Sequence, residues 1–265
     1  MSNDFAALSW LVEMGADEAI GDQPVDRFAQ PRVLHQAAVP REAERSGAAP
    51  RPAAAGPAPS VTSLPPPSAP PTPSAQAAAS ASALAAAART LEELEAALRG
   101  FDGCALKATA TNTVFADGVP GSRVMFVGEA PGADEDRIGR PFVGVSGQLL
   151  DAMLRWIDLD RARNVYIANA VYWRPPGNRP PTTSEVAICL PFIRRQIELA
   201  NPEILVFLGN SAAQALLGTT GGIGRLRGRW LSYQPPGAER AVQAMATFHP
   251  AYLLRNLPDK AKAWE

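Results

Sequence analysis

From residue 123 onward, apolar runs alternate regularly with longer amphipathic stretches. The runs RVMFVG (123–128), NVYIANAV (164–171), EILVFLG (203–209) and AVQAMATF (241–248) are short and nearly continuous, as strands buried on both faces are. Between them lie SGQLLDAMLRWI, SEVAICLPFIRRQIELA and NSAAQALLG, whose apolar residues recur at helical spacing. Strands alternating with helices predict an α/β domain: a three-layer α/β/α sandwich around a mostly parallel sheet. Upstream, ARTLEELEAALRGF predicts a helix opened by a capping box of Thr90 and Glu93.

The first third of the chain follows another pattern. DFAALSWLVEMGADEAI sets Phe5, Leu8, Leu11 and Val12 on one helical face. Residues 1–35 are thus read as a short amphipathic helix and tail. This helix either packs on the body or docks a protein partner at the end of a tether. Residues 36–86 are read as a disordered linker, because Ala, Pro and Ser dominate and few large apolar side chains offset the entropy of ordering. The folded domain is then expected over 87–265.

Composition alters this picture little. The net charge is −1, but residues 101–265 hold 18 Lys and Arg against 15 Asp and Glu, and residues 1–100 hold 7 against 11. A +3 balance in the folded part permits a nucleic-acid partner without demanding one. Two cysteines form no disulfide framework, and no secretory signal or membrane-length apolar run is evident, which points to a cytoplasmic monomer.

In a parallel sheet, ligands bind beyond the carboxyl ends of the strands. Those ends carry Glu129 and the acidic stretch GEAPGADEDRIGRPFVG (128–144), then Asn169 and VYWRPPGNRPP, then GNSAAQ, then His249 in TFHPAYLLR. Each has a plain structural alternative. Asn169 could satisfy a loop, His249 could be a turn residue before proline, Glu129 could cap a helix, and the Pro-rich loop could be inert. Their convergence on one rim is the pattern of an active site. A phosphate-binding loop does not fit, since no Lys-Ser/Thr follows the glycines and the carboxylates repel phosphate. A metal hydrolase built on Glu129, Glu135 and His249 lacks a second folded-region histidine and paired ligand spacing.

The segments VMFVGEAPGADEDRIGRPFVGVSGQLLD, VYIANAVYWRPPGNRPPTTSEVAIC, and IGRLRGRW followed by TFHPAYLLRN resemble, in order, the family 4 (thermostable-type) uracil-DNA glycosylases. The resemblance implies hydrolysis of the bond between uracil and deoxyribose in DNA, a base-excision repair reaction needing no cofactor for its chemistry. It implies that Phe142 stacks on the extruded base, that Asn169 reads its edge, and that Asn178 belongs to the same pocket. His249 would stabilise negative charge on the base. Glu129 and Glu135 match acids of the first motif, with Glu129 preferred for positioning water. Arg225 and Arg227 would meet DNA phosphates, and Leu253, Leu254 and Arg255 would fill the gap left by the base.

The family holds a [4Fe–4S] cluster on four cysteines. Here only Cys104 and Cys189 remain at those positions; Phe101 and Trp173 stand at the other two. Loss of the cluster, with an aromatic plug in its place, is expected. A cluster held by two thiolates and outside ligands is the alternative. The departure also gives weight to a second class of function, a nucleic-acid-binding or scaffold module with a weak or inactive pocket.

Overall fold

The computed structural model describes residues 72–236 and 240–264. The predicted N-terminal helix, and the predicted linker up to residue 71, lie outside the described residues.

The described chain opens with a correction. Residues Pro73–Ala87, all but the last assigned above to the linker, form a helix, α1, with Thr72 as its N-cap and Pro73 in its first turn. Composition suggested disorder because large apolar side chains are missing. Alanine, however, is the best helix former, and its small side chain allows close approach to a neighbouring helix. Ala81, Ala85 and Ala88 are buried in the main core.

Helix α2 (Leu91–Gly100) follows, with the Thr90 hydroxyl accepting from the Glu93 amide. The Glu93 carboxylate accepts from the amide of Arg89, one residue earlier than a capping box requires. Next come the two-residue strand β1 (Asp117–Gly118), β2 (Val124–Gly128) and two helices, α3 (Ala133–Ile138) and α4 (Val145–Arg155). After β3 (Val165–Asn169) run α5 (Thr183–Ala200), β4 (Ile204–Leu208), α6 (Asn210–Leu217) and α7 (Ile223–Leu226). The chain continues through β5 (Trp230–Tyr233), β6 (Val242–Thr247), α8 (Pro250–Arg255) and α9 (Asp259–Trp264).

The six strands lie in the order β1-β3-β2-β4-β6-β5. The four predicted strands form the parallel centre, and the short β1 and β5 pair antiparallel at its edges. Successive side chains of each central strand enter opposite layers. Met125, Val127, Tyr166, Ala168, Leu205 and Phe207 meet the helices α1, α2, α5 and α6 on one face. Phe126, Val165, Ile167 and Leu208 meet Leu150 and Leu154 of α4 on the other. This is the expected three-layer α/β/α arrangement.

Strand order makes β2 the pivot. The crossover from β2 to β3 carries α4 on one face, and that from β3 to β4 carries α5 on the opposite face. The connection leaving β2 runs to β3 on one side and that leaving β4 runs to β6 on the other, so a crevice opens between the carboxyl ends of β2 and β4. Gly128, the last residue of β2, pairs in register with Asn169, the last of β3.

Candidate active site

The crevice is a cleft of about 430 Å³, lined by Glu129, Glu135, Phe142, Asn169, Asn178, His249 and Arg255 among others. Every catalytic and base-contacting residue expected from sequence therefore lines one cavity. Their local settings differ, and those differences separate groups that hold the site from groups that face it.

Asn169 is 1% exposed, and its Oδ1 has no hydrogen-bond partner. A buried amide oxygen left unpaired costs free energy unless a ligand satisfies it. The space beside it is set by Gly128, where an added Cβ would stand 2.5 Å from both Asn169 Oδ1 and Phe142 Cζ. The chain gives up a side chain there so that amide and ring can approach the end of β2.

Phe142 is buried, with φ of 55°, a left-handed conformation seldom adopted by a residue of its size. Its ring packs against His249, centroids 5.5 Å apart and planes tilted by 31°. Gly209, with φ of 94°, lets the backbone after β4 pass behind His249, where an added Cβ would come within 2.9 Å of the histidine Cβ.

His249 caps α8, and its Nδ1 accepts from the amide of Ala251 at 3.1 Å. A nitrogen that accepts a backbone N–H carries no proton, so the neutral ring is protonated at Nε2. Burial, and secondarily the positive charge of Arg255, pull the imidazole down to about 4, against a smaller opposing pull from Glu135. At neutral pH the ring is an uncharged donor.

The acidic loop divides by role. Glu135, expected as a second catalytic acid, is buried and bound by three amides. Its Oε2 accepts from Gly132 at 3.1 Å, and its Oε1 from Val143 and Gly144 at 2.9 Å each. It fastens the start of α3 to the segment after Phe142. Asp136 is likewise buried and accepts from the amides of Thr111 and Asn112. Asp134 pairs with Arg137 on the surface. Glu129 lines the cleft beside the Ser211 hydroxyl. Burial raises its carboxyl above the ordinary range, and the hydrogen bond from Ser211 opposes that rise.

Asn178 is exposed on the cleft wall with φ of 56°, its Oδ1 accepting from Arg174 Nε at 2.7 Å. Arg225 is exposed. Arg227 is instead tied into the fold, its guanidinium 5.3 Å over the Phe248 ring and donating to the Lys262 carbonyl. Leu254 and Arg255 are exposed at the end of α8, whereas Leu253 is fully buried against Leu149 and Phe248. Leu253 is therefore a core residue, and of the three only Leu254 and Arg255 are exposed.

The four positions matching cluster ligands are all buried in the main core. Phe101 packs on Phe192 at 5.3 Å. Trp173 donates from Nε1 to the Thr113 hydroxyl at 3.0 Å. The Cys104 and Cys189 thiols interact in the core; this interaction, together with burial, pushes Cys189 up, and it holds Cys104 down. Two thiols and two aromatic rings do not supply the four thiolates of such a cluster, and no group of three or more His, Cys, Asp or Glu among the described residues could hold a metal.

A cleft at the β2 pivot, with an open amide, a ring platform and a neutral imidazole, defines a hydrolase-like pocket for a flat polar ring. The uracil DNA glycosylase superfamily model matches residues 115–265. The type-4 uracil-DNA glycosylase of Thermotoga maritima is 40% identical over 167 residues, 63% of this chain and 84% of that protein. Those of Sulfurisphaera tokodaii and Pyrobaculum aerophilum are 38% identical over 172 residues and 40% over 169, covering 77% and 85% of the relatives and 63% and 62% of this chain. The chain belongs to the uracil DNA glycosylase superfamily, in its type-4 branch.

Proposed function

We propose that this protein excises uracil from DNA. The observation that carries the reading is the buried, unpaired Oδ1 of Asn169 facing the cleft beside the Phe142 ring. Extruded uracil stacks on Phe142, offers its N3–H to Asn169 Oδ1, and accepts from the amide nitrogen at O4. Cytosine has an acceptor at N3, so it faces Oδ1 acceptor to acceptor and is rejected.

Cleavage breaks the bond from the sugar C1′ to N1 of the base. The bonding pair leaves with uracil, and C1′ becomes electron-deficient. His249 donates from Nε2 to the base oxygen on which negative charge accumulates, and as a neutral donor it does so without transferring its proton. Glu129 faces the sugar, stabilises its positive charge and orients the water whose oxygen bonds to C1′; the proton that water loses passes to the carboxylate and on to the departing uracil anion. Glu135 holds the loop beside Phe142 and adds a small upward pull on the His249 imidazole. Arg225, Arg255 and Leu254 meet the DNA, the arginines at phosphates and the leucine in the space left by the base.

The region of Cys104 and Cys189 is closed by Phe101 and Trp173, and the [4Fe–4S] cluster associated with the family has been lost in this chain. Anaerobic purification followed by iron and sulfide analysis tests this; stoichiometric iron overturns it. The protein acts as a monomer in the cytoplasm. Among the described residues no helix is long and apolar enough to cross a membrane.

The reading as a whole is tested by excision from a uracil-containing oligonucleotide, run beside a His249→Ala control. Strand scission after alkaline treatment is expected with the parent and strongly reduced with the variant. DNA binding without turnover would instead favour the scaffold reading.

A further inference from the structure

Phe142 cannot hold its backbone unaided, because φ of 55° is unfavourable for a bulky residue. One side chain from a distant part of the sequence grips it. Arg161, in the turn between α4 and β3, donates from Nη2 to the carbonyl of Phe142 at 2.7 Å and from Nη1 to that of Pro141 at 3.1 Å. The same guanidinium is fixed from behind by two carboxylates. Nη1 donates to Asp117 of β1 at 2.7 Å, and Nε to Asp151 of α4 at 2.9 Å. The Arg161 and Asp117 side chains are 18% and 17% exposed. On its other side the Phe142 carbonyl lies against Gly147, where an added Cβ would stand 1.9 Å from the oxygen.

We propose that Arg161, braced by Asp117 and Asp151, is a positioning residue that holds Phe142 in its left-handed backbone and so fixes the base platform. Arg161 does not itself line the cleft and acts on it through the backbone of Pro141 and Phe142. A lysine in its place keeps the charge but presents one nitrogen where the fork reaches two carbonyls and two carboxylates at once. The catalytic part of the inference rests on the uracil-excision reading; the structural part does not.

Two measurements on Arg161→Lys test it. The first is amide hydrogen exchange, which reports local opening irrespective of substrate. Exchange over residues 141–148 is expected to rise about 10-fold or more, while β4 remains as in the parent. The second is a double-mutant cycle on uracil excision with Phe142→Ala. Alone, Arg161→Lys is expected to lower kcat roughly 10- to 100-fold with KM within about threefold, the cost of a misplaced reacting group. In the Phe142→Ala background it should cost no more than about threefold. Unchanged exchange over 141–148, or an equal loss in both backgrounds, overturns the proposal. Should Arg161→Lys fail to fold, Asp151→Asn, at a carboxylate 40% exposed, gives the same two readouts at smaller amplitude, and the same two outcomes overturn the proposal. A parent without excision activity would refute the uracil reading, and the exchange arm alone would then decide the role of Arg161.

Discussion

The Nδ1 of His249 accepts the amide of Ala251, two residues on, at 3.1 Å. The bond uses the first turn of α8 to dictate the tautomer of the ring, and the burial that lowers the imidazole to about 4 dictates its charge. Two features of the pH profile follow.

An ordinary histidine titrates near 6.5. Here the folded value is depressed, so the neutral ring persists as pH falls through that range. His249 should contribute no step to excision between pH 7 and pH 6, measured as the single-turnover rate of a Ser211-intact protein. The same depression means that the neutral ring's contribution to folding stability is fully present above about 6.5. It is lost progressively as pH falls towards about 4. The acid limb of the rate belongs instead to Glu129, which must be ionised and whose carboxyl is raised. Ser211→Ala removes the hydrogen bond that opposes that rise and should move the limb to higher pH.

Asn169→Asp replaces the amide donor with a second acceptor at a buried position. Uracil O4 then meets oxygen rather than N–H. Excision should fall about 100-fold or more, the scale on which a site built to hydrogen-bond its substrate penalises a lost partner. Parent-like processing of uracil by this variant would remove Asn169 from the role of reader.

Gly128→Ala places a methyl 2.5 Å from Asn169 Oδ1 and Phe142 Cζ. Both base-contacting groups must shift, and β2 must absorb the strain. A loss of about 1–3 kcal/mol in stability is expected, as for other overpacked sites. The loss of excision should be disproportionate, about 100-fold. Thermal denaturation and single-turnover kinetics on one preparation separate the two.

Trp173→Ala removes the largest fully buried side chain among the described residues and orphans the Thr113 hydroxyl. The expected cost is about 3–5 kcal/mol, readable in a denaturant titration. A cost below about 1 kcal/mol would show that the indole does not close this region.

The parallel centre of the sheet was legible because strands covered on both faces are apolar at every position, as in ILVFL of β4. The edge strands were not. Asp117–Gly118 is too short and polar to carry a period, and Trp230–Tyr233 alternates at an exposed border. Helix α1 was hidden by composition, since its packing depends on the smallness of Ala81 and Ala85 rather than on apolar bulk. In the cleft, Glu129, Asn169 and His249 could be placed because strand ends are countable. The bracing of Phe142 by Arg161 spans 19 residues and three elements, and the three amides on Glu135 come from both sides of its helix. No local pattern announces either arrangement; in sequence Glu135 is one more acid in an acidic run.

The indole at 173 and the ring at 101 have a consequence for how the protein comes into being. The joint between α5 and the segment after α2 is made of side chains the polypeptide carries from synthesis. On the proposed loss of the cluster, a domain sealed in this way matures by folding alone, independent of any supply of iron and sulfide and of the machinery that delivers them. Its repair capacity is then set by how much chain the cell makes.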